Sequence, residues 1–241
     1  MTRRRLLRIP LLAGACAALL AIAGCSAATS TFGVSGTTTT FGVSSPAPNP
    51  TSTSANRMRI VTIGDSLMSG YGLDLGEAWP TLLANKTHVT LTNLSCGGMG
   101  FVVAGDCGTA YSGLVPALAA LQPDVVIVQS SSNDFDEDPA NLRAATISTV
   151  DEMHQAAPDA VVVGLSTIWN DEEESPDEVA TTSNDLRDAI ALVNGVFVDV
   201  GQPLAGHPNW MQADDVHPTA AGQRAIEEAV RTQLQKAAVL R

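Results

Sequence analysis

Five short apolar runs, at positions 60–63, 89–94, 125–128, 161–165 and 196–200, recur through the second part of this chain, each rich in β-branched residues. Runs of this kind, apolar without polar alternation, are strands buried on both faces. Helix-like stretches separate or follow them, expected at 79–84, 112–120, 139–157, 177–193 and 219–238, and Pro116, Pro139, Pro158 and Gly195 punctuate their ends. Strand and helix in alternation require a mainly parallel sheet covered on both sides, an α/β fold in the form of a three-layer α/β/α sandwich. Such a sheet carries its chemistry just past the carboxyl ends of its strands. Residues 58–241, 184 in all, suffice for one domain that buries roughly 70% of its unfolded surface.

The first 57 residues have a different character. Residues 1–24 carry Arg3, Arg4, Arg5 and Arg8, then an Ala/Leu-rich run with no acid, the build of an export signal peptide. It is too short to be read first as a permanent membrane span. A twin-arginine signal and a merely basic leader explain its start equally well. It ends in Ile22-Ala23-Gly24-Cys25, which resembles the lipobox of bacterial lipoproteins. In that reading Cys25 is lipidated and holds the protein on the outer face of the cell membrane, since two or more acyl chains anchor where one does not. If the lipobox is not used, the protein is secreted. From 25 to 57 the sequence is dominated by Ser, Thr, Ala, Gly and Pro, a disordered tether, with TFGVS occurring twice. Two short copies are too few for a repeat architecture.

Loss of residues 1–24 leaves 9 basic residues against 25 acidic ones, a net charge of about −16. That excludes nucleic acid as an expected partner. Cys96 and Cys107 remain once Cys16 and Cys25 are set aside, and outside the cytosol they are expected either to pair as a disulfide or to be two buried thiols. The acidic cluster from Asp171 to Glu178 lacks the ligand spacing and turn glycine of a calcium loop and reads as a solvated segment. No metal site, phosphate loop or dinucleotide fingerprint is present in the pattern, so no cofactor is expected. Trp169 and Trp210 fall in loops near the expected site and are candidates to line a substrate cleft.

The first strand stops abruptly at Gly64-Asp65-Ser66-Leu67. Ser66 there is either the N-cap of a short helix or a nucleophile. A hydroxyl attacks only when a base takes its proton, so the second reading needs a histidine with an orienting acid. His207 lies in a Gly-His-Pro loop with no acid close in sequence, and neither His88, ahead of a strand, nor His154, inside a helical stretch, stands in a turn that presents an acid beside it. His217 does, within Ala-Asp-Asp-Val-His-Pro: Asp214 stands three residues before it and Asp215 two.

GDSL at 64–67, NLSCGGMG at 93–100, SSND at 131–134 and DxxHP at 214–218 together resemble, in order, the four blocks of the SGNH, or GDSL, hydrolases, a family of serine esterases, lipases and acyl hydrolases. The resemblance covers nearly all of 58–241 and implies a flavodoxin-like five-stranded fold. It implies a catalytic triad of Ser66, His217 and Asp214, with an oxyanion hole formed by the Ser66 and Gly98 peptide N–H groups and the Asn133 side-chain amide. Gly97 and Gly100 compete with Gly98 for that place. Ser131 stands where the family pattern has glycine, adding a side chain beside Asn133. The implied activity is hydrolysis of carboxylic esters, short-chain acyl or acetyl, on a small molecule or a glycan. Two alternatives stand beside it: an acyltransferase or deacetylase acting on cell-wall polysaccharide with the same residues, and a non-catalytic wall-binding lipoprotein. A monomer is expected.

Overall fold

A computed structural model describes residues 57–241 except Leu75. The export signal, Cys25 and all but the last residue of the tether lie outside the described residues. The five apolar runs form β1 (Arg59–Ile63), β2 (Thr90–Asn93), β3 (Val125–Gln129), β4 (Val161–Leu165) and β5 (Val196–Val198), in the spatial order β2-β1-β3-β4-β5 with every pairing parallel.

In β1, β3 and β4 the lack of polar alternation has the expected cause, whereas the edge strands depart from burial on both faces: β2, which alternates as Thr-Leu-Thr-Asn, and β5 are only partly buried. Every residue of the central strand β3 is buried. Val125 and Ile127 enter one core cluster, while Val126 and Val128 enter another on the opposite face. Ile60 and Val61 of β1 divide in the same way. The first face is covered by α2 (Trp79–Thr87) and α6 (Ala220–Lys236) through Trp79, Leu83, Ile226, Val230 and Leu234. The second is covered by α3 (Val115–Leu121), α4 (Pro139–Ala156) and α5 (Asp177–Leu192) through Leu118, Leu142, Val150, Met153, Leu186 and Ile190. Glu227 on α6 is fully buried, and Lys86 of α2 and Arg231 of α6 both pair with it.

The sequence expectations differ from this in detail. The helix from Trp79 runs on to Thr87. The stretch expected as one helix at 112–120 begins as a 3-10 turn, Tyr111–Leu114, because Pro116 suits only a first helical turn and α3 starts beside it. The last strand stops at Val198, and Asp199 turns back to accept a hydrogen bond from Gly201 N–H at 2.9 Å. A four-residue helix, α1 (Ser66–Ser69), follows β1 directly.

Candidate active site

The strand order places the loops after β2, β1 and β3 side by side, and chain order reverses at β1/β3, where sheets of this type bind ligands. The residues singled out at 98, 66 and 133 lie on those three loops.

Ser66 is the first residue of α1, not its cap. The cap is Asp65, whose Oδ1 accepts from Leu67 N–H at 2.9 Å. Ser66 therefore carries a helix-start N–H that donates to no other group among the described residues. α1 ends after one turn at Gly70, in the left-handed region at φ 77°, with both Gly70 and Tyr71 N–H donating to Ser66 C=O. Asp65 is 4% exposed, and burial pushes its carboxyl above the usual aspartate range. Its Oδ2 accepts from Ser131 Oγ at 2.6 Å.

After β2, Cys96 and Cys107 are joined as a disulfide, closing the loop that contains Gly98. Cys96 N–H donates to Gly64 C=O at 3.2 Å, so this loop is stitched to the strand end that delivers Ser66. Gly98 has φ +71°, and a Cβ there would meet only Gly105 Cα at an ordinary 3.5 Å. Glycine is thus required by the backbone's left-handed turn and not by close packing. Like Ser66, Gly98 has an N–H that donates to no protein group among the described residues.

After β3, a 3-10 turn at Ser132–Asp134 is capped by Ser131, whose Oγ accepts from Asn133 N–H at 3.1 Å. Asn133 Nδ2 donates to Met99 C=O at 2.9 Å, which sets the amide beside the Gly98 peptide and leaves its second N–H free. Asp134 accepts three backbone N–H groups, from Phe101 at 2.7 Å and from Val102 and Val103 at 3.1 Å, clamping the same loop. Burial raises its carboxyl above the usual range too.

The fourth part is the turn from Gln212 to Pro218, held by the Met211–Pro218 bridge and by Gln212 N–H donating to His217 C=O at 2.8 Å. Asp214 Oδ1 accepts from the Val216 and His217 N–H groups at 3.1 and 3.0 Å, and Oδ2 lies 2.7 Å from His217 Nδ1. Those bonds, those to His217 foremost, lower the Asp214 carboxyl to about 2. Asp215 has φ +55° and makes no bond to the imidazole among the described residues, which decides between the two acids. Gln212 Nε2 donates to Tyr71 C=O at 2.8 Å, and the Tyr71 ring lies 4.4 Å from that of His217. The histidine turn is thereby tied to the end of α1. Ser66 Oγ and His217 do not hydrogen-bond in this structure; such bonds often tighten only with substrate present.

Three ties escaped the sequence reading. Gln223 of α6, 1% exposed, donates to Leu67 C=O at 2.9 Å and accepts from Trp79 N–H at 2.8 Å. Asn93 Nδ2 donates to Met68 C=O at 2.9 Å, and Gln212 makes the bond just described. All are side-chain to backbone bonds across long sequence separations, which no local motif announces.

A small cavity of about 40 Å³ opens here, lined by Leu67, Ser132, Ile168, Trp169, Asn170, Asp215 and Val216. Trp169 lines it and stacks on Phe135 at 5.5 Å, whereas Trp210 stacks on His207 at 3.7 Å and packs against the core. A larger hollow of about 470 Å³, between Met58, Val89, Asp124 and Leu240, lies at the opposite edge of the sheet and shares no residue with the site. Among the described residues no group of His, Cys, Asp and Glu is placed to hold a metal ion.

The chain is 28% identical over 188 residues to the GDSL lipase Rv0518 of Mycobacterium tuberculosis, covering 71% of this chain and 79% of that one. It is 25% identical over 186 residues to thioesterase 1/protease 1/lysophospholipase L1 of Escherichia coli, covering 73% and 83%. Among solved structures it superposes on TesA with a TM-score of 0.60, at 24% identity over 74% of this chain and 99% of that one. The psychrotrophic esterase EstA of Pseudoalteromonas sp. gives 0.62, at 22% identity over 75% and 98%. The GDSL-like Lipase/Acylhydrolase family matches residues 62–225, a span that takes in both the Ser66 strand end and the His217 turn, and to that family of SGNH/GDSL esterase-type hydrolases this chain belongs.

Proposed function

We propose that the protein is a cell-surface serine esterase acting on short-chain acyl or acetyl esters, with Ser66, His217 and Asp214 as its catalytic triad. The observation that carries the reading is the meeting of two sets of groups at one strand edge. Ser66 opens α1 with a free N–H beside the Gly98 loop and the Asn133 amide, and the Asp214–His217 pair is tied to the same helix through Gln212 and Tyr71.

In this mechanism Ser66 Oγ attacks the ester carbonyl carbon as His217 Nε2 takes the hydroxyl proton. Asp214 accepts from Nδ1–H, which fixes the tautomer that leaves Nε2 free and stabilises the imidazolium. The carbonyl oxygen gathers negative charge among the N–H groups of Ser66, Gly98 and Asn133. Collapse expels the alcohol, which takes the proton from His217. Water then attacks the acyl-enzyme, giving its proton to His217, and the acid leaves as Ser66 regains its own. The small cavity lined by Leu67, Ser132 and Trp169 adjoins Ser66 and Asn133 in the chain and would seat the acyl group.

The test is hydrolysis of a chain-length series of nitrophenyl esters by the wild type and by Ser66→Ala. Turnover is expected to be greatest for the shortest acyl groups and abolished by the substitution, and a fluorophosphonate probe is expected to label Ser66 alone. Hydrolysis at wild-type rate by Ser66→Ala would sink the proposal.

A further inference from the structure

Ser131 departs from the family pattern, and its side chain has a job there. It is 1% exposed, at φ −118° and ψ 144°, extended backbone that any residue adopts, so nothing in the chain's path calls for glycine. Its single hydroxyl does two things at once. It donates to Asp65 Oδ2 at 2.6 Å and accepts from Asn133 N–H at 3.1 Å. Asp65 is the residue before Ser66 and caps the helix that Ser66 opens. Asn133 carries the side-chain amide set beside Gly98 through Met99 C=O. One oxygen thus joins the loop of the nucleophile to the loop of an oxyanion donor, across 66 residues of sequence. A hydroxyl that donates to a carboxylate becomes a better acceptor, so the two bonds reinforce each other.

We propose that Ser131 is a positioning residue for the ester-hydrolysis reaction, fixing the Asn133 amide relative to Ser66 through the Asp65–Ser131–Asn133 chain of hydrogen bonds. The inference rests on the esterase reading above. Glycine at 131 would leave the buried Asp65 Oδ2 without its donor and the half-buried Asn133 N–H without its acceptor. The 3-10 turn would lose its cap, and the amide would be free to drift from where negative charge develops. Ground-state substrate makes little use of that amide, so the loss belongs to kcat and not to KM.

The experiment measures kcat and KM for a nitrophenyl acetate with the full chain, comparing wild type, Ser131→Gly, Ser131→Ala, and both substitutions again in an Asn133→Ala background. Ser131→Gly only removes atoms, and it installs what the family pattern carries at this place. Both single variants are expected to lose about tenfold in kcat with KM within about twofold, part of the 10²- to 10³-fold that a whole oxyanion donor supplies. In the Asn133→Ala background the same substitutions are expected to cost less than about twofold, because the group they position is gone. Wild-type kcat in Ser131→Gly overturns the inference, as does a tenfold loss that persists without the Asn133 amide. Thermal unfolding of each variant separates a folding defect from misplacement: a variant unfolded at the assay temperature is assayed below its midpoint, where the same two criteria apply. Ser66→Ala is run alongside. If it keeps turnover, the esterase reading and this inference fall together; if it is dead and Ser131→Gly is not impaired, only this inference falls.

Discussion

Asp214 accepts two backbone N–H groups as well as the imidazole, and its carboxyl, lowered to about 2, stays ionised through the neutral and mildly acid range. The sign follows: a lowered carboxyl adds to stability above its ordinary value and loses that contribution only as pH falls toward 2. With the side chain 43% exposed the contribution to stability is small, and the role is orientation. Asn at 214 keeps the shape but can offer an N–H where Nδ1–H needs an acceptor. Asp214→Asn is therefore expected to lower kcat by at least about 10²-fold, approaching the ~10⁴-fold of a misoriented triad histidine. Raising the pH from 6 to 9 is expected not to restore it, because what is lost is an acceptor and not a titrating charge; a pH series of kcat checks this. Gly98 and Gly100 mark the limit of single-residue reading. Both sit in one glycine-rich block, yet Gly98 is needed for its left-handed backbone, and a Cβ at Gly100 would overlap the Asp134 carboxylate that three N–H groups hold in place. Sequence alone had no means of separating those reasons.

Elements were legible in proportion to their length and period. The five strands and four long helices announced themselves through continuous β-branched runs and helical spacing, because those patterns are set by burial on known faces. α1 carries no such pattern at four residues, and its cap is Asp65 where serine was the alternative weighed. The Gln223, Asn93 and Gln212 ties were illegible because a glutamine's value to a site depends on which backbone carbonyl the fold brings within 3 Å. Motif order named the four loops; the bonds that align them became visible only in three dimensions. The disulfide loop is the element with the most direct consequence. It closes a segment of about a dozen residues that holds Gly98 and Met99, whose carbonyl orients Asn133. Reduction releases a closure of roughly 3 kcal/mol on the chain-entropy account. It is expected to lower Tm by several degrees, on the order of 2–4 °C per kcal/mol for a domain this size, and to lower kcat about tenfold at temperatures where the protein remains folded. Ester turnover and thermal unfolding before and after dithiothreitol, with the thiols then blocked by iodoacetamide, read both effects. An unchanged kcat after complete alkylation would show that the loop holds its shape without the bond.

At the scale of the molecule, the two ends of the sheet divide the work. Met58 precedes β1, its carbonyl accepting from Thr90 N–H at 2.9 Å, so the chain enters the domain at the amino-terminal edge of the strands. Ser66, Gly98 and Asn133 stand at the carboxyl edge, on the far side of the sheet. The point where the chain enters the described domain and the candidate site therefore lie at opposite edges of the sheet. On the reading of Cys25 as a lipid anchor, the 32 Ser/Thr/Pro-rich residues 26–57 separate anchor from domain. A net charge of about −16 beyond residue 24 would also keep the domain from lying down on anionic headgroups. Attachment and chemistry are then separable. Cys25→Ser is expected to move the protein from the membrane fraction to the culture medium, and to leave kcat on a soluble short-chain ester within about twofold, since every residue of the described site lies at or beyond Gly64. Cell fractionation with incorporation of labelled palmitate measures the first part, and ester turnover of the released protein the second. A Cys25→Ser protein that is exported and still sediments with membranes would mean that something other than Cys25 holds it there.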